Sequence, residues 1–236
     1  MSSWTFKPPW WATIATLILV PSLCGLGVWQ LQRGAAKVAL QERYEQAQRA
    51  EPREVTAGSV AYPEQIERAR ARGRFDSGRQ LLLDNQSHDG KPGYHVLTPL
   101  ILPEAGVVIV DRGWIPRPAA GQLPDLRVSD EEIEVQGLWR TFIAPPMRLE
   151  VDNCAEQTWP RLVQFPTFAD LRCLYGEFVA DGLLLMDATV PNGYVREWQK
   201  GAELSPTKNY GYAAQWFAFA LTLLGIFIKL NLRRSP

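Results

Sequence analysis

Two histidines, His88 and His95, are the only imidazoles in the chain, which excludes a multi-histidine metal site. Cys154 and Cys173 lie outside any C-x-x-C pattern, a spacing foreign to zinc sites. In an oxidising compartment they can form a disulfide; otherwise they are two unrelated thiols. The chain has no G-x-S-x-G elbow, P-loop, dinucleotide fingerprint or H-E-x-x-H motif. No catalytic residue is expected, so the chemistry that remains is binding. Trp29 and Arg33 stand one turn apart where an apolar segment ends, and Tyr210, Tyr212 and Trp216 cluster where another begins. Tyr212 and Trp216 share one helical face. Such residues form either an interfacial belt with a snorkelling arginine or the floor of a site.

The elements that must position these residues are two charge-free runs. One extends from Pro8 to Gln32 and the other from Asn209 to Ile228, each long enough to cross a bilayer and flanked by Trp or Tyr. Pro21 is tolerable inside a membrane span. The first run reads as a retained anchor rather than a cleaved signal peptide: Lys7 is the only basic residue ahead of it, no A-x-A site follows, and Leu23 precedes Cys24. Cys24 is then a packing residue. Flanking charges divide on orientation, because Arg33, Lys37, Arg43 and Arg49 follow the first run while Lys229, Arg233 and Arg234 follow the second. The expected divisions are a membrane helix over 8–32, a helical extension over 33–50, a β-rich domain over 51–208 and a membrane helix over 209–230.

The middle segment carries the polar residues. Glu51-Pro52 stops the helical extension. In IERARARGRFD, Arg68, Arg70, Arg72 and Arg74 fall on one strand face and Ala69, Ala71, Gly73 and Phe75 on the other. That arginine face suits anionic lipid, a carboxylate-bearing ligand or an acidic partner, or is a solvated face partly paired with acids. Further strands are expected at 79–85, 94–102, 107–115, 133–142 and 182–190, with a short helix over 166–175 capped by Thr167. His95, within a strand, reads as a structural imidazole or a ligand. Asn85-Gln86-Ser87 fits a glycosylation acceptor. The fold class is therefore two transmembrane helices flanking a β-rich α+β domain, its antiparallel sheet curled as a barrel or sandwich. The totals, 46% hydrophobic, 21% charged and zero formal net charge, argue against a nucleic-acid partner, and three cysteines are too few for a disulfide scaffold.

Four separated segments carry a family resemblance: LGVWQLQRGAAK (26–37), RGRFD with LLLDNQSHDGKPGYHVLTPL (72–100), VDRGWIP (110–116) and PTKNYGYAAQWFAFAL (206–221). Together they resemble the Surfeit locus protein 1 family, assembly factors for cytochrome c oxidase, and WPRLVQ (159–164) is similar to its bacterial branch. The resemblance implies a non-enzymatic protein of the bacterial inner membrane, with cytoplasmic termini and a periplasmic central domain that permits a Cys154–Cys173 disulfide. It implies help in haem a delivery to, or maturation of, subunit I of a haem–copper oxidase. The partners it implies are that subunit, haem a synthesis enzymes and the lipid bilayer. A structural scaffold that binds no haem is the alternative. The family's second-span motif places a haem-ligating His where this chain has Asn209, and an amide is a poor iron ligand. Haem a would then be held without that bond, through Tyr210, or through His95 if the domain folds onto the membrane. Trp29, Arg33, Tyr210, Tyr212 and Trp216 make up the expected haem or partner region.

Overall fold

The computed structural model describes residues 4–63, 65–118, 125–142, 154, 158–198 and 205–234. The chain divides into two compact units, one of residues 1–42 with 202–236 and the other of residues 43–201.

The first unit is a helical hairpin. A short strand β1 (Trp4–Phe6) leads into the long helix α1 (Trp10–Arg49), whose last turns belong to the second unit. Pro21 lies within α1. In the same stretch Thr16 and Ser22 donate their hydroxyls to the carbonyls of Ala12 and Ile18, which keeps these polar groups satisfied inside an apolar helix.

The second unit is a curled mixed sheet. After α1, the chain forms β2 (Arg53–Glu54), β3 (Glu67–Phe75), β4 (Leu81–His88), β5 (Lys91–Ile101), β6 (Val107–Pro116), β7 (Glu132–Arg140), β8 (Arg161–Val163), α2 (Phe168–Tyr175) and β9 (Val179–Met186). Strand order runs β2-β3-β7-β9-β6-β5-β4-β8, and β5 also pairs with β3 through Arg74↔Ile101 and Phe75↔Leu100. Strands β3, β7, β9, β6 and β5 thus close on themselves, which removes their free edges. Closure is possible because β5 is long: its first half pairs with β4 and its end turns to β3. The β6–β9, β4–β8 and β2–β3 pairings are parallel; the remainder are antiparallel.

Alternation on β3 explains which side faces the core. Ala69, Ala71 and Phe75 are buried in one cluster with Val108, Val135 and Trp139. Small residues on β3 leave room inside for the Trp139 indole. Helix α2 has the expected reciprocal cap: Asp170 N–H donates to Thr167 Oγ1 at 3.3 Å, and Thr167 N–H donates to Asp170 Oδ2 at 2.7 Å. Its buried residues, Leu171 and Tyr175, anchor it, and Tyr175 donates its hydroxyl to Arg79 O.

One carboxyl works against the fold. Asp181 uses its backbone to hold Ser59 and Ala61, while burial raises the pKa of its side chain. A carboxyl whose folded pKa is raised favours the folded state when protonated, and stability falls as pH rises from the unfolded value, about 3.9, through the folded one. An Asp181→Asn variant is expected to melt above the parent protein at pH 7, with the difference disappearing below pH 4. Thermal melts at the two pH values check this.

The hairpin is completed by α3 (Thr207–Asn231) and β10 (Leu232–Arg234). Both long helices are apolar enough to cross a membrane, and the 25 residues of α3 rise about 37 Å against a hydrocarbon core of about 30 Å. At the chain ends β1 and β10 pair antiparallel, Lys7 N–H donates to Asn231 O at 3.0 Å, and Phe6 meets Phe227 edge to face. The chain forms a two-span membrane protein with a sheet-rich domain between its spans.

Candidate functional site

At the start of the second span, α1 and α3 meet through small and polar residues. A Cβ on Gly27 would lie 2.7 Å from the Phe217 ring, and one on Gly34 would lie 2.5 Å from the Tyr210 ring. Glycine at these two positions lets an aromatic ring lie against the opposite backbone. Between them, Asn209 Nδ2 donates to Gln30 Oε1 at 2.8 Å, and beyond them Lys37 Nζ donates to Ser205 O at 3.3 Å.

Of the aromatic residues singled out in the sequence, Tyr210 lies against Gly34 of the other helix, whereas Trp29 and Trp216 make their ring contacts within their own helix. The Arg33 guanidinium lies over the Trp29 ring at 5.7 Å, and Trp216 meets Phe219 edge to face at 6.0 Å. Trp29, Tyr210 and Tyr212 are all exposed. Sequence reasoning missed Gln30. Its signal was present: an uncharged amide one turn from Gly27 and Gly34, on their side of the helix.

The domain has its own polar centre, at the β5–β6 bulge. His95 Nδ1 lies 2.9 and 3.0 Å from the two oxygens of Asp111, whose side chain is only 3% exposed. The carboxylate therefore fixes the proton on Nδ1. Asp111 also accepts the Gly113 N–H at 2.9 Å. Gly113 has φ +112°, and a Cβ there would lie 2.6 Å from Val195 O, so both conformation and space require glycine. The Trp198 ring lies tilted against His95, centroids 5.6 Å apart, and donates its indole N–H to Met186 O.

Between Asp111 and Gly113 stands Arg112, 2% exposed. Its Nε donates to Asn192 O at 2.8 Å, and Nη1 reaches Gln80 Oε1 at 3.1 Å and Leu126 O at 3.2 Å. Phe75 and Tyr194 lie within 5.6 Å and 5.0 Å of its guanidinium carbon. Burial lowers the pKa of this guanidinium. The VDRGW stretch is thus a structural knot: Asp111 orients His95, Arg112 gathers three loops and Gly113 allows the Tyr194–Arg196 segment to pass.

Comparison with known proteins places these features in a frame. The model of the SURF1 family matches residues 17–221, both ends of which lie within the spans. The chain belongs to the SURF1 family. It is also similar to Surfeit locus protein 1 of Mus musculus, with 28% identity over 144 residues. That match covers 52% of this chain and 46% of the mouse protein, so the chain spans about half the length of the curated relative it matches.

Within the family frame, the haem-ligating imidazole expected from the resemblance meets residues that do not fit it. Asn209 stands in its place, and its amide is engaged by Gln30. Tyr210, the expected substitute, has its ring against Gly34. His95 has its Nδ1 held by Asp111 and its ring tilted against Trp198 within the domain. The residues of the span entrance hold each other.

The arginine face has a plainer role. Arg68 pairs with Asp187 at 2.5 Å, Arg72 with Glu132 at 2.5 Å and Arg70 with Glu54 at 3.8 Å. In the β3–β7 ladder Arg72 lies opposite Glu134, and Arg74 opposite Glu132. It is a cross-strand ladder of opposite charges of the kind that supports a sheet.

Cys154 and Cys173 form a disulfide, Cα–Cα 6.3 Å, that ties residue 154 to α2. The closed loop of 19 residues corresponds to about 3 kcal/mol of stabilisation by loop closure. A Cys154→Ser variant is expected to have an unfolding free energy lower by that amount and a lower urea midpoint, and reduction should remove the difference between variant and parent. Urea titrations with and without reductant test this.

Proposed function

We propose that the chain is an assembly factor for a haem–copper (cytochrome c type) oxidase, acting without catalysis of its own on the maturation of subunit I. Membership of the SURF1 family across both spans and the domain carries this reading. The protein would sit in a bacterial plasma membrane with its termini cytoplasmic and its domain periplasmic. The Cys154–Cys173 disulfide supports an oxidising compartment for that domain. The exposed Trp29, Arg33 and Tyr212 and the half-buried Trp216 would make the lateral contact with subunit I in the bilayer, and enzymes of haem a synthesis would be neighbours.

Two modes follow from this role. In one, haem a passes transiently over the aromatic entrance, with Arg33 available to a propionate. In the other, the hairpin is a scaffold that holds subunit I and carries no haem. The Gln30–Asn209 bond favours the scaffold.

Deleting the protein from its host should lower both the haem a band in membrane optical spectra and oxidase activity, with restoration by the plasmid-borne chain. Unchanged spectra and activity in a host without a second family member would remove the assembly role. Purified protein from haem a-producing cells separates the modes, since a carrier shows a Soret band and a scaffold is colourless.

A further inference from the structure

We infer that the entrance of the second span is a closed helix–helix joint built around the Gln30–Asn209 amide pair, and that this chain ligates no porphyrin iron there. This goes beyond the assembly reading, because it holds whichever oxidase, or other partner, the protein serves.

The joint is made of successive contacts along one seam. Phe217 lies on Gly27, Asn209 bonds Gln30, Tyr210 lies on Gly34, and Lys37 bonds Ser205 O. The polar and the apolar contacts support each other. Glycines bring the helix backbones close, and the close approach puts a donor and an acceptor from different spans within 2.8 Å. Neither amide is fully buried, and an unpartnered amide at a membrane boundary would turn to water or headgroups instead.

Iron chemistry points the same way. Haem iron takes imidazole, thiolate, thioether or phenolate. Asn209 offers none of these, and its Nδ2 is occupied as a donor. Tyr210 offers a phenolate, but its ring packs against the Gly34 backbone, where even a Cβ would collide. An imidazole placed at 209 would have to leave Gln30 before it could face a ligand.

The experiment uses the full-length chain in native membranes. Cysteines replace Lys37 and Ser205 in a Cys24→Ala background, and the rate of cross-linking by a short bismaleimide reports how often the two spans are closed at this end. Asn209→Leu and Gln30→Leu should each lower the rate about threefold, the usual worth of one hydrogen bond between membrane helices. The double variant should be no slower than either single one, because both remove the same bond. Gly34→Leu should lower the rate more than tenfold. Independent, additive losses from Gln30→Leu and Asn209→Leu, or no loss from either, would overturn the joint.

A second measurement addresses the iron. Asn209→His, purified from haem a-producing cells, should show no imidazole-ligated Soret band; such a band, absent from the parent protein, would overturn the closed joint. If the parent protein carries haem, Asn209→Leu and Tyr210→Phe should retain it. Retention would place the haem elsewhere, which argues against the scaffold mode and leaves the joint standing. Loss of haem in either variant would refute the inference.

Discussion

Replacing Arg112 by alanine is expected to lower the unfolding free energy by about 3–5 kcal/mol, close to the whole stability of a marginal domain. The loss follows from what the guanidinium holds. It donates to Asn192 O, Leu126 O and Gln80 Oε1, three groups from separate segments, inside a site that excludes water. Removing it takes one donor from Asn192 O, leaves Leu126 O with only the Gln80 Nε2 donor, and opens a cavity between Phe75 and Tyr194, the largest of these losses. Chemical identity should matter as much as size. Arg112→Met fills most of the volume and removes a buried charge, so it should be milder than alanine, although the carbonyls still lose this donor. Arg112→Lys keeps the charge, but one ammonium cannot reproduce the fork that reaches opposite sides of the site. Urea titrations of the full chain in detergent, followed by near-ultraviolet circular dichroism, should rank the parent above Met and Met above alanine. An alanine variant as stable as the parent would refute the knot.

The same residue shows what was legible in the sequence and what was not. Local patterns read well. The two charge-free runs became α1 and α3, the alternation of arginine with alanine became β3, and Thr167 with Asp170 became the cap of α2. Each of these signals is continuous within a single element or its cap. Arg112 looked like one letter of a motif, because its partners at Gln80, Leu126 and Asn192 come from distant segments that no periodicity connects.

Pairing between distant segments was hidden in the same way. The return of β5 onto β3 and the parallel contact of β6 with β9 depend on how the sheet closes, which strand-length patterns do not encode. Strands β2 and β8 are two and three residues long, too short to show alternation. At the candidate site, the sequence presented Trp29, Arg33, Tyr210, Tyr212 and Trp216 because aromatic and cationic residues are conspicuous beside apolar runs. It did not present the bond from Asn209 to Gln30, 179 positions away. Of the conspicuous residues only Tyr210 enters the joint, and an inconspicuous glutamine forms its polar centre.

Trp139 provides the second large effect, and the choice of substitution separates packing from hydrogen bonding. Its side chain is 1% exposed and lies over Gly182, where any Cβ would meet the indole. Loss of the ring in Trp139→Ala should cost about 3–5 kcal/mol, since Val135, Leu184 and Met186 around it are held in a closed ring of strands and cannot collapse into the void. The indole N–H has no hydrogen-bond partner among the described residues, so the native residue already bears the desolvation of that group. Phenylalanine removes the orphan donor along with part of the volume, and the two changes oppose each other. Trp139→Phe is therefore expected to cost about 1 kcal/mol, well below the value that its lost volume alone would suggest. Gly182→Ala should be destabilising in the parent protein and much less so beside Trp139→Ala, because its new methyl would then occupy the vacated space. A double variant whose loss equals the sum of the single losses would show that ring and glycine are not in contact.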